Sequence, residues 1–133
     1  MALTPTPAFA VTPKIGVVAV STANTNRDGT GTIATVLSAG AAGTKVLEIA
    51  LQATGDPADS TVTIFIHDGS SYWLFDEFDL NNPTAASTTV AGYRVSRRYE
   101  NLVLPTGYSL RAAITVALTS GVVNVFALAA DLT

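Results

Sequence analysis

The chain contains no cysteine. Disulfides, thiol nucleophiles and thiolate metal sites are excluded together, and the fold must be held by its core alone. Charge is also scarce, at 13% of 133 residues, which is about half the usual globular share. The net charge of −3 leaves no basic footprint of the kind that phosphate binding requires, so nucleic acid is not expected as the main partner. The arginines Arg94, Arg97, Arg98 and Arg111 are the one concentration of positive charge, and they read as salt-bridge or interface residues. No membrane partner is expected. The apolar stretch near Met1 has no basic residue before it, so it does not read as a signal peptide.

What the chain does have is 48% hydrophobic residues, with most of its polarity in Thr, Ser, Asn and Gly. A surface this neutral does little to keep molecules apart, and much of it is expected to meet protein. Size scaling gives roughly 6,600 Å² of folded surface against about 19,900 Å² unfolded, enough burial for one domain with a real core.

The clearest stretch is Ser60 to Leu80. Val62, Ile64 and Ile66 alternate with Thr61, Thr63, Phe65 and His67, which is the period-two pattern of a strand. Asp68-Gly69-Ser70-Ser71 supplies a tight turn, because glycine accepts positive φ and an Asp side chain bonds the backbone ahead of it. In the returning arm, Tyr72, Leu74, Asp76, Phe78 and Leu80 fall on one face and Trp73, Phe75, Glu77 and Asp79 on the other. Both faces carry apolar residues. Each is therefore expected to be covered, by a second sheet or by a neighbouring subunit.

Residues 1–13 hold Pro5, Pro7 and Pro13, which fix φ and remove backbone donors. The segment reads as an extended arm outside any central strand, with Phe9 and Val11 as docking side chains. Residues 14–133 form the single domain. Strands are expected over Lys14–Ala23, with Ile15, Val17 and Ala19 on one face, over Thr32–Ser38, and over Thr44–Thr54, with Leu47, Ile49 and Leu51 inward. After the hairpin, Asn81-Asn82-Pro83 and a Thr-rich segment make the long connection of a Greek key. Strands then follow over Val90–Glu100, Tyr108–Leu118 and Val122–Leu132. Tyr93, Val95, Arg97 and Tyr99 share one face. About eight strands without a helix describe an all-β, antiparallel two-sheet sandwich of jelly-roll type.

Signals for chemistry are weak. Gly29-Thr30-Gly31 fits neither a Walker loop nor a dinucleotide fingerprint, and it reads as a turn. His67 and Asp68 are adjacent on a strand end and point to opposite faces, so they do not form a general-base pair. Asp76, Glu77 and Asp79 divide between two faces and lack calcium-loop spacing. No catalytic, cofactor or metal site is expected, and the chain is not expected to be an enzyme.

Three motifs carry a resemblance. They are Ala42-Gly43-Thr44-Lys45-Val46 leading into an alternating strand, Phe65-Ile66-His67-Asp68-Gly69-Ser70 with Leu74 and Glu77 following, and Leu102-Val103-Leu104-Pro105-Thr106-Gly107-Tyr108-Ser109-Leu110-Arg111-Ala112. Over about Gly40 to Leu132 the chain resembles small virion proteins of tailed bacteriophages. The resemblance implies a jelly-roll capsid decoration (cement) protein that sits as a homotrimer on the capsid surface, with the major capsid protein as its partner. On that reading Phe9, Val11, Tyr72, Trp73, Tyr93 and Arg97 are the expected interface residues. The other reading is a tail-associated receptor-binding or carbohydrate-binding sandwich, in which Tyr72 and Trp73 stack on sugar rings.

Overall fold

A computed structural model describes residues 10–132. It contains β1 (Ala10–Val20), β2 (Ala34–Ser38), β3 (Thr44–Ala53), β4 (Ser60–His67), β5 (Tyr72–Leu80), β6 (Arg94–Leu104), β7 (Ser109–Ile114) and β8 (Val123–Leu132), with no helix among the described residues. One antiparallel sheet has the order β1-β8-β3-β6 and the other β2-β7-β4-β5. Two sheets interleaved in this way are a jelly roll, as the strand count and the long connection before β6 predict.

The core lies between the sheets and is built from Val46, Ile49, Leu51, Val62, Ile64, Phe78, Leu80, Leu110, Ile114, Val123 and Val125, all fully buried. At one lateral end β1 packs against β2, and Gly16 makes this possible. A side chain there would meet the Val36 carbonyl oxygen at 2.4 Å. At the other end the backbones of β5 and β6 stand further apart, and side chains fill the gap.

The Asp68–Ser71 turn forms as expected. Gly69 has φ 102°, a conformation in which only glycine avoids strain. The Asp68 carboxylate accepts the backbone N–H groups of Ser70 at 2.9 Å and Ser71 at 2.7 Å.

Several expectations need correction. β1 runs Ala10–Val20 where a strand over Lys14–Ala23 was expected. Pro13 is tolerated there because β1 is an edge strand. β6 runs Arg94–Leu104, some four residues later than expected, and β7 ends at Ile114, leaving Val116 exposed beyond it. Leu47 points outward because the pairing of β3 shifts register between Val46 and Glu48 against both neighbours. Such a bulge inserts a residue and reverses the facing on either side. In β5 a second bulge at Phe75 lies between the Leu74 and Asp76 pairings. Tyr72 and Leu74 thus face away from the core while Asp76, Phe78 and Leu80 face it, so the five do not share a face.

On the outer face of the β2-β7-β4-β5 sheet, a loop of the chain itself lies against the strands. Phe65 and Thr63, on the face opposite the core residues Val62 and Ile64, are fully buried. The β1–β2 loop lies over them. Its Ala23 bridges Ile114, its Arg27 pairs with Glu77, and its Gly29 lies against Tyr72. Buried Asn24 organises the loop from within. Its side-chain amide donates to the Thr30 and Thr32 carbonyls, each at 3.0 Å, and its Oδ1 accepts the Asn26 N–H at 3.0 Å.

Candidate interaction surface

The open β5/β6 end is closed by a polar cluster. The Asp76 carboxylate, on the core side of β5, accepts from Arg97 Nη1 and from the Tyr99 hydroxyl at 2.5 Å. Arg97 also lies over the Phe78 ring at 4.6 Å, and the Tyr93 hydroxyl donates to the Asp79 carbonyl at 3.1 Å. Burial alone pushes the Asp76 pKa up. The Tyr99 hydroxyl, Arg97 and the Glu77 N–H together outweigh it and hold the group below its ordinary value. Burial, reinforced by the Asp76 carboxylate, raises Tyr99 well above an ordinary phenol. The cluster is a side-chain strut between two edge strands, since each member spends its polar atoms on another member or on the backbone.

Next to this strut runs an exposed apolar ridge on the edge strand β5. Trp73 is 60% exposed, Phe75 40% and Leu74 39%. Trp73 is nevertheless fixed in direction, because its indole N–H donates to Asp68 Oδ2 at 3.0 Å. The same carboxylate holds the turn, and hydrogen bonds from the Ser71 N–H, the Trp73 indole and the Ser70 N–H keep Asp68 far below the usual carboxylate range and therefore ionised. Phe75 continues the ridge to Tyr99, with ring centroids 5.6 Å apart.

The second exposed apolar region is the outer face of the β1-β8-β3-β6 sheet. Ile15 is 67% exposed, Val17 54% and Leu47 45%. Between them, the β8 partners of Ile15 and Val17, Leu128 and Phe126, are half-buried. Where the β3 bulge parts the strands, a groove of 510 Å³ opens, lined by Leu47, Glu48, Arg98, Tyr99, Glu100 and Leu128. Arg98 reaches Glu48 at 3.6 Å and is otherwise exposed.

The expected interface residues are therefore divided among regions. Phe9 lies outside the described residues, and Val11 is in β1 with its side chain outside them. Tyr72 faces the loop-covered side, where its ring contacts His67 at 4.4 Å and Phe65 at 6.2 Å and its hydroxyl accepts from Arg111 at 3.4 Å. Trp73 lies on the exposed ridge, and Tyr93 and Arg97 meet at the strut. His67 Nδ1 accepts the Gly69 N–H at 3.3 Å, which is a structural bond. Among the arginines, Arg97, Arg98 and Arg111 all take intramolecular partners. The sequence reading missed Ile15, Val17 and Leu47. Gly16 was the available signal for the first two, because a strand glycine marks close approach on its own face and so turns its neighbours outward.

No protein-family model matches the chain, and no curated protein matches it significantly. Among solved structures, a chain in the acid-stable capsid of Helicobacter pylori bacteriophage KHP30 is similar over 92% of this chain and 90% of its own, with a TM-score of 0.57 and 11% identity. At that identity the likeness is one of fold. A chain of infectious bursal disease virus Gx strain overlaps 98% of this chain and 36% of its own at 11% identity, with a TM-score of 0.30, too loose a match to bear on the fold.

Proposed function

We propose that the chain is a virion structural protein, a capsid decoration or cement protein that binds the outside of a phage coat shell and bridges neighbouring coat subunits. The observation that carries the reading is the uncovered apolar face around Ile15 and Val17. The opposite outer face is partly covered by the chain's own β1–β2 loop, whereas the exposed apolar side chains around Ile15 and Val17 form a face suited to protein. The phage-capsid chain with this fold supports the same reading. A homotrimer engages the shell at several points at once, and linked contacts raise effective affinity by about 10²–10⁴ without any single strong contact. The residues before Ala10, with Phe9, add a further tether.

The test is co-sedimentation with expanded, DNA-free phage coat shells. Saturable binding is expected, and it should be weakened by Ile15→Glu with Val17→Glu, both on exposed positions that leave the core intact. A second reading rests on Trp73, whose fixed and exposed indole suits stacking on a sugar ring. Retention on host glycans without shell binding would favour it and set aside the cement role.

A further inference from the structure

We propose that His67, Tyr72, Ser109 and Arg111 form a recognition site for one acidic side chain of a protein partner, on the outer face of the β2-β7-β4-β5 sheet. The proposal rests on the bridging reading above, which calls for a second protein contact besides the Ile15–Val17 face. Ser109, His67 and Tyr72 are paired across β7, β4 and β5 and so lie in one row. Arg111 stands two residues along β7 from Ser109, on the same face. Its Nε donates to Ser109 Oγ at 2.8 Å and its Nη1 to the Tyr72 hydroxyl at 3.4 Å, with the guanidinium carbon 5.7 Å from the Tyr72 ring centre. The guanidinium is thus oriented before any ligand arrives.

What this group has left to offer is donors. His67 Nδ1 accepts the Gly69 N–H, which puts the ring proton on Nε2. The Tyr72 oxygen accepts from Arg111 and keeps its own proton to give. Every buried side-chain nitrogen and oxygen of the half-buried and buried residues described is hydrogen-bonded. Arg111 Nη2 and His67 Nε2 make no such bond, so both reach solvent. Donors without a free acceptor select an oxyanion.

Charge narrows the class further. Arg27, Arg97 and Arg98 each pair with a carboxylate, whereas the partners of Arg111 among the described residues are two hydroxyls. The acids of the neighbouring segments are engaged elsewhere. Asp68 holds its own turn and the Trp73 indole, Asp28 holds Thr30, and Asp131 holds Lys14 and Thr44. One uncompensated cation matches a monoanionic carboxylate better than a dianionic phosphate, and the planar guanidinium fits two carboxylate oxygens. Thr35, Ser38 and Leu74, which flank the row, are exposed. An open face of this kind reads one group of a larger partner, whereas a small molecule is held by a concave site.

Nitrogen-15 NMR of the full chain tests the site, because the Arg111 Nε–H and the ring N–H of His67, the only histidine, report on it directly. The probe is N-acetylglutamate N-methylamide, which carries one side-chain carboxylate between blocked termini, titrated at constant ionic strength. Saturable shifts of both signals are expected, with a dissociation constant on the order of 10 mM, as one charge-assisted contact gives. The matching glutamine compound should leave both signals in place. Arg111→Gln, read at His67, should raise the constant about tenfold or more. Tyr72→Phe keeps the ring packing and should raise it about threefold, which guards against a fold lost with the arginine. Shifts that are absent, that do not saturate, that appear equally with the glutamine compound or that survive both substitutions overturn the site. Tighter binding of glucuronate or inorganic phosphate than of the blocked glutamate overturns its assignment to an acidic protein side chain. The Ile15→Glu, Val17→Glu protein leaves this site unaltered and is scored on shells, so the two readings fail separately.

Discussion

Gly16→Ala is expected to destabilise the protein, against the usual sign of such a change. The added methyl would lie 2.4 Å from the Val36 carbonyl oxygen, 2.8 Å from Leu37 Cβ and 2.9 Å from Leu37 Cδ1. The first of these is a backbone atom and cannot swing aside, so β1 and β2 must part at the end where the sandwich closes. Overpacking of this kind costs about 1–3 kcal/mol, and two close backbone-proximal contacts place it at the upper end. Lower entropy of the unfolded chain returns about 0.4–1 kcal/mol. The net loss is about 2 kcal/mol, or roughly 6–10 °C in melting temperature for a domain of this size. Urea and thermal unfolding measure it, with exposed Ile15→Ala as the control in the same strand, expected within about 0.5 kcal/mol. A Gly16→Ala protein as stable as the wild type would refute closure of the sandwich at this residue.

The strut at the open end makes stability depend on pH in both directions. Asp76 lies below its ordinary value in the folded protein, so the unfolded chain binds the proton more readily. Its contribution is complete above about pH 5 and is lost progressively below that, as pH falls past the ordinary carboxylate range toward the lowered folded value. Asp76→Asn should flatten that acid slope in urea titrations, and an unchanged slope would exclude the group. Tyr99 is raised, so the folded state keeps a proton that the unfolded state releases, and stability declines from about pH 10 upward. Tyr99→Phe should remove this decline. Asn24→Ala strips partners from two carbonyls and one N–H in the covering loop and should cost about 2–3 kcal/mol. A loss below about 0.5 kcal/mol would show that the loop is not organised around Asn24.

The hairpin, the number of strands and the sandwich class were legible because they rest on period-two patterning and on turns with specific chemistry, such as Asp68-Gly69. Pattern alone cannot count a bulge. One extra residue at Leu47 and another at Phe75 reverse the facing, and these two bulges help create the exposed surface. The strut was half legible. Arg97 and Tyr99 fall on one face by alternation, but their partner Asp76 comes from the other sheet, a contact that only tertiary structure brings about. The covering loop was legible as turns and not as a lid, since Asn24 acts through carbonyls that only the folded loop brings round it. Ile15 and Val17 alternate with Gly16 and Val18 in a strand whose two faces are both apolar, so periodicity could not say which face meets solvent.

The measurement that bears most directly on the central claim is calorimetry of expanded, DNA-free shells with and without a saturating amount of this protein. A cement role predicts a higher melting temperature for the shell transition, because a ligand held by the assembled lattice stabilises it by mass action, and the Ile15→Glu, Val17→Glu protein should lose the increment. Saturated shells that melt at the same temperature as bare ones would contradict it.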